Sequence, residues 1–98
     1  MNFTLRVRRR ANRDIEQICE WYDSRRTGYG ESFKAALYRF MDQLQSDPYQ
    51  FGEVIDEVRQ ATLTDFPYAV YYKIVAETIS VFAIVHTSRD PSTWRSRI

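Results

Sequence analysis

Near the C-terminus, His86 and Arg89 have the types and spacing that proton transfer on a charged substrate would use. An imidazole titrates near neutrality and can take or give a proton at physiological pH. A guanidinium three residues on can grip a phosphate or carboxylate with two parallel hydrogen bonds. The alternative for His86 is structural, a bond to a backbone carbonyl or to Asp90 at a strand end. Arg59, Arg95 and Arg97 extend the cationic set. They can converge if neighbouring antiparallel strands bring them together, or pair with Asp56, Glu57, Asp65 and Asp90. Arg89-Asp90-Pro91 invites a local ion pair, which adds little stability when exposed. Arg95 and Arg97 have no acid beside them and read as contact residues. Trp94 between them is either a plug under the last turn or an exposed anchor for a partner.

Other chemistries lack their residues. One His and the lone Cys19 build neither a zinc site nor an internal disulfide. The chain has no Gly-rich phosphate loop, nucleophile elbow or zinc-binding helix motif, and its carboxylates lack metal-loop spacing. No metal or cofactor is implied. Net charge is +1, from 14 Lys and Arg against 13 Asp and Glu. That balance argues against bulk nucleic-acid binding, which needs a larger basic excess, but not against a local basic patch. The N-terminal residues lack a signal-peptide run and no stretch reaches membrane-span length, so the expected location is cytoplasmic, with no membrane partner.

The elements that must position these residues follow from periodicity. A length of 98 residues predicts one domain over residues 1–98, and 44% hydrophobic residues suffice for its core. Phe3, Leu5 and Val7 alternate with Thr4, Arg6 and Arg8, which predicts a half-buried strand. Arg8-Arg9-Arg10 then reads as a solvated connection or a binding patch. Ala11, Ile15, Ile18, Trp21 and Tyr22 mark one face of a helix over 11–24. Phe33, Ala36, Leu37, Phe40, Met41 and Leu44 mark a second helix from about residue 29 to 45, stopped at Asp47-Pro48. Three strands follow, at 54–63, 68–75 and 79–85, the last almost wholly apolar and so covered on both faces or packed beneath the helices. On the middle one, alternation puts Tyr68 and Tyr72 on one face and Tyr71 on the other. The order β-α-α-β-β-β predicts an α+β fold: an N-terminal strand and helical hairpin on one face of a mainly antiparallel sheet, with a short C-terminal tail.

Two stretches are then familiar in order and spacing. Arg59-x-x-x-Leu63-x-x-Phe66-Pro67-Tyr68-x-Val70-x-Tyr72 is followed by Val85-His86-x-x-Arg89-Asp90-Pro91-x-x-Trp94. The chain resembles the RelE/ParE superfamily of toxins from bacterial type II toxin–antitoxin systems over nearly its whole length. The resemblance implies a cognate antitoxin partner that folds on the toxin in a hetero-oligomer. It also implies one of two targets: ParE-like members poison DNA gyrase, whereas RelE-like members cut messenger RNA on the ribosome. RNA-cleaving members tend to carry lysines on the second strand, an arginine near the start of the third and a C-terminal tyrosine. Those places hold Gln60, Thr62, Ala69 and Arg95 here, and only Arg89 matches a family catalytic arginine. The implied reading is a ParE-like gyrase inhibitor, with Arg89, Trp94, Arg95 and Arg97 as target contacts. An endoribonuclease using Arg59, His86 and Arg89, or an attenuated toxin that only binds its antitoxin, is the alternative.

Overall fold

The alternating N-terminal residues form strand β1 (Thr4–Val7), and its hydrogen-bonding partner lies at the far end of the chain. A computed structural model describes residues 2–98. Helices α1 (Arg9–Arg25) and α2 (Tyr29–Ser46) follow, then a single 3₁₀ turn (Pro48–Gln50). Strands β2 (Glu53–Ile55), β3 (Val58–Thr62), β4 (Tyr68–Val75) and β5 (Thr78–His86) complete the sheet, and a short helix α3 (Ser92–Arg95) ends the chain. The sheet order is β1-β5-β4-β3-β2. Only β1 pairs in parallel, with β5, and the other neighbours are antiparallel.

The helical stripes meet one face of this sheet. Ile15, Ile18, Tyr22, Phe33, Leu37 and Leu44 pack on Val70, Tyr72, Ile79, Val81 and Ile84. A smaller cluster covers the opposite face, where Val58, Ala69, Tyr71, Ala83 and Val85 lie with Trp94. β5 is therefore buried on both sides, which accounts for its apolar run. Tyr68 and Tyr72 belong to the helical side and Tyr71 to the other, as alternation along β4 predicts.

Three local features depart from expectation. Residues 54–63 are not one strand: Asp56 and Glu57 turn the chain back between β2 and β3, with φ of 42° and 66°. Two successive left-handed residues make the type I′ geometry of a tight hairpin, usually marked by Gly or Asn. Trp21 is 49% exposed, because the buried stripe of α1 runs through Ala11, Ile15, Ile18 and Tyr22 and leaves it at the margin. Third, Tyr71 pairs with Ala83 while Tyr72 pairs with Val81, so Phe82 is an extra residue in β5. This bulge reverses which residues face the helices. Before it, Ile79 and Val81 point to them, and after it Ile84 does.

The loop between the helices is shaped by two glycines for separate reasons. Gly28 holds φ at 87° before α2, a conformation that suits glycine. Gly30 is buried where the helices approach, and a Cβ there would lie 2.6 Å from the Cys19 carbonyl oxygen. Its N–H donates to Asp23 Oδ1 at 2.9 Å.

Candidate functional site

The bulge sets up the site. Opposite β4, the outer edge of β5 beyond Val81 has no strand partner, because the chain of β1 has already turned into α1. Two side chains occupy that edge instead. Asp14 on α1 accepts from the Ile84 N–H at 2.9 Å, and Arg97 donates to the Phe82 carbonyl at 3.2 Å. The two also bind each other through both prongs, at 2.6 and 3.0 Å, with each side chain 12% exposed. Arg97 Nε is the one buried side-chain polar atom without a partner among the described residues. Arg97 was expected to lack a nearby acid and to present its charge outward. It is instead fastened to Asp14 across the whole length of the chain, and it holds the tail to α1 and to the bulge.

Beyond this staple, α1 and the open edge of β5 enclose a groove of about 310 Å³. Asp14, Gln17 and Trp21 form one wall, while Tyr68, His86 and Arg89 form the other and its end. His86 stands edge-on to Tyr68, ring centroids 5.2 Å apart. Its Nδ1 accepts from the Ser88 N–H at 3.1 Å and lies 2.8 Å from Ser88 Oγ. A ring nitrogen that accepts a backbone N–H carries no proton, so neutral His86 bears its proton on Nε2. Among the described residues neither Asp90 nor a backbone carbonyl holds this ring, and Ser88 takes the place expected of them.

Asp90 instead accepts from the Ser92 N–H at 2.8 Å, which starts α3 and holds the carboxyl below its usual range. No ion pair forms between Arg89 and Asp90 among the described residues, because the carboxylate is turned into the backbone. Arg89 is exposed at the groove. Trp94 is 5% exposed and stacks on Tyr71, ring centroids 4.6 Å apart. Arg95 is exposed, with its guanidinium 5.5 Å from the Trp94 ring centre.

The arginines do not all converge: Arg97 lines the groove together with Arg89, whereas Arg59 is held elsewhere. Arg59 donates to the Phe51 carbonyl, lies 3.6 Å from Glu53 and covers the Tyr49 ring at 5.2 Å. These contacts hold it on the β2–β3 side of the sheet, while His86 and Arg89 share the groove beside α1. Ala69 and Thr62 pair with each other, and Ala69 is buried in the cluster that contains Trp94. Asp14, Gln17 and Trp21 were not foreseen as site residues. The signal for Asp14 was its place beside Ile15 and one turn before Ile18, at the edge of the apolar stripe.

The site therefore sits on a β-α-α unit whose N-terminal edge strand pairs in parallel with the last strand of the sheet. The family model "ParE toxin of type II toxin-antitoxin system, parDE" matches residues 5–91, and the chain belongs to this family. A chromosomal ParDE system from P. aeruginosa superposes with a TM-score of 0.78 at 18% identity, covering 86% of this chain and 95% of that one. The RelBE2 toxin–antitoxin complex from Mycobacterium tuberculosis gives 0.65 at 17%, covering 88% and 99%. The E. coli RelBE complex gives 0.64 at 14%, covering 89% and 99%. At these identities the likeness shows the fold. No curated protein matches the chain. Among the described residues, no helix is long and apolar enough to cross a membrane.

Proposed function

We propose that this toxin acts as a ParE-type inhibitor of DNA gyrase and is neutralised by a cognate antitoxin in a hetero-oligomeric complex. The observation that carries the reading is the separation of Arg59 from His86 and Arg89. Cleaving RNA through its 2′-hydroxyl needs a base, cations at phosphorus and an acid for the leaving oxygen, within reach of one phosphate. Arg59 is held by Phe51, Glu53 and Tyr49 on the far strands, Arg97 is committed to Asp14, and Gln60, Thr62 and Ala69 bring no charge. Arg89 and Arg95 are the exposed tail cations and make the target contact, with Trp94 and Arg97 holding the tail beneath them in place. Such a pair of genes would act in plasmid stabilisation or growth control in the cytoplasm. Purified toxin mixed with gyrase and relaxed plasmid should block supercoiling and accumulate cleaved DNA. Intact gyrase activity with folded toxin overturns the reading.

One observation favours the ribonuclease alternative: His86 and Arg89 line a single groove, and Nε2 of His86 is not held by Ser88. On that reading, induction produces discrete in-frame cuts in messenger RNA on the ribosome, abolished by His86→Ala and by Arg89→Ala. Induction of the SOS response with intact transcripts sinks it. Undiminished growth on expression without antitoxin identifies an attenuated binding module.

A further inference from the structure

The densest positive charge in the molecule lies outside the groove, where β1 passes into α1. Arg6, Arg8, Arg9 and Arg10, with Val7, Phe82 and one side of Arg97, line an open concavity of about 550 Å³. All four of those arginines are exposed, and none is in an ion pair among the described residues. The first acid in the chain is Asp14, and its carboxylate is held by Arg97.

This arrangement opposes the helix it adjoins. Arg9 and Arg10 open α1, whose first turn contains no acid and whose N-cap residue, Arg8, offers no side-chain acceptor. A helix N-terminus carries partial positive charge, so cations there are unfavourable, and its first N–H groups need acceptors from elsewhere. A bound anion relieves both conditions at once.

We propose that this corner docks the phosphate backbone of duplex DNA. Arginine, rather than lysine, supplies every cation, which suits two-pronged contacts to phosphate. Arg6 on β1 and Arg8, in extended backbone just beyond it, are two residues apart, roughly 7 Å, and Arg9 and Arg10 continue the row into the first turn of α1. A row fits a polyanion better than a single phosphate. Phe82 is the one aromatic residue lining the concavity, and single-strand grooves use several such rings as stacking platforms. Arginines and helix N-termini are common backbone contacts on duplexes. Apart from these four arginines the chain holds 10 Lys and Arg against 13 Asp and Glu, a net charge of −3, which confines the attraction to this corner and so orients the protein on DNA. The inference does not depend on which enzyme or ribosome the toxin inhibits.

Fluorescence anisotropy tests it with the full chain and three labelled probes: a duplex of about 20 base pairs, the matching single strand and a polyglutamate peptide. Four phosphate contacts make duplex affinity fall roughly a hundredfold between about 50 and about 200 mM salt. Arg8→Glu/Arg10→Glu should weaken duplex binding more than about tenfold and flatten that salt response. The new carboxylates sit at the positive end of α1 and favour the helix, so lost binding does not report lost structure. Arg26→Glu/Arg39→Glu makes the same charge change at exposed positions on other elements and should stay within about threefold of the parent. Equal losses in the two variants, no duplex binding by the parent chain, or tighter binding of the single strand or the peptide overturns the proposal.

Discussion

Arg97 matters for where its guanidinium ends rather than for the charge it displays. Beyond the end of β1, the Phe82 carbonyl and the Ile84 N–H at the bulge of β5 have no strand partners, and the Asp14–Arg97 pair supplies both. Removing one member leaves the other charge buried and the bulge unsatisfied. Asp14→Ala or Arg97→Ala is therefore expected to cost about 3 kcal/mol, read from urea unfolding. Arg97→Lys keeps the charge but loses the two-pronged geometry, and should fall between. No local motif reveals this pair, because its members stand at opposite ends of the chain and only the fold joins them. Tyr72 gives a second test at this scale. It is fully buried, its hydroxyl donates to the Pro48 carbonyl at 2.6 Å, and burial pushes its pKa up to about 12. In the unfolded chain the phenol ionises near pH 10. Between about pH 10 and about 12 the unfolded state thus binds fewer protons than the native state, and stability falls as pH rises. This contribution is whole below about pH 10. Tyr72→Phe should reduce the alkaline loss in pH-dependent unfolding without abolishing it, since burial raises Tyr22, Tyr68 and Tyr71 in the same direction.

The helical hairpin depends on close approach at one point. Gly30 has the Cys19 carbonyl and the Asp23 carboxylate where a side chain would begin, and backbone cannot move aside cheaply. Gly30→Ala should destabilise by about 1–3 kcal/mol through overpacking, measured as a lower Tm. Gly28→Ala is a different lesion, backbone strain at positive φ with open space around it. Elements that repeat a pattern were legible in the sequence: both helices, β1, β4 and β5 lie within a few residues of their expected bounds. What broke the pattern was not. Asp56-Glu57 lacks the glycine that normally marks a two-residue hairpin, so β2 and β3 read as one strand. An unbroken apolar run cannot show where a bulge lies, because no polar residue records the change of face, and this hid the origin of the groove. Trp21 was assigned to the core by type and spacing, yet the packed stripe of α1 needed only Ile18 and Tyr22 at that level. The groove residues His86 and Arg89 were visible as a pair, and the separation of Arg59 from them was not.

Across the whole molecule, both ends of the chain are fixed to the same strand. β1 pairs along the first half of β5, and Arg97 bonds its bulge from the other terminus. The tail is therefore a braced surface, with Trp94 stacked on Tyr71 beneath it and Arg89 and Arg95 outside. This separates stability from toxicity in a way mutants can read. Arg89→Ala/Arg95→Ala removes exposed groups with no ion-pair partner among the described residues, and should change stability by no more than about 0.5 kcal/mol per site. Trp94→Ala empties a packed position and should cost about 3–5 kcal/mol. If the tail surface contacts the target, the double arginine variant loses growth arrest and gyrase inhibition while its melting temperature stays near the parent's. Trp94→Ala loses both together, because the surface it braces is no longer held. A double variant that melts normally and still arrests growth as strongly as the parent would exclude Arg89 and Arg95 as the target contact. The next residues to test would then be those facing the groove from α1, Gln17 and Trp21.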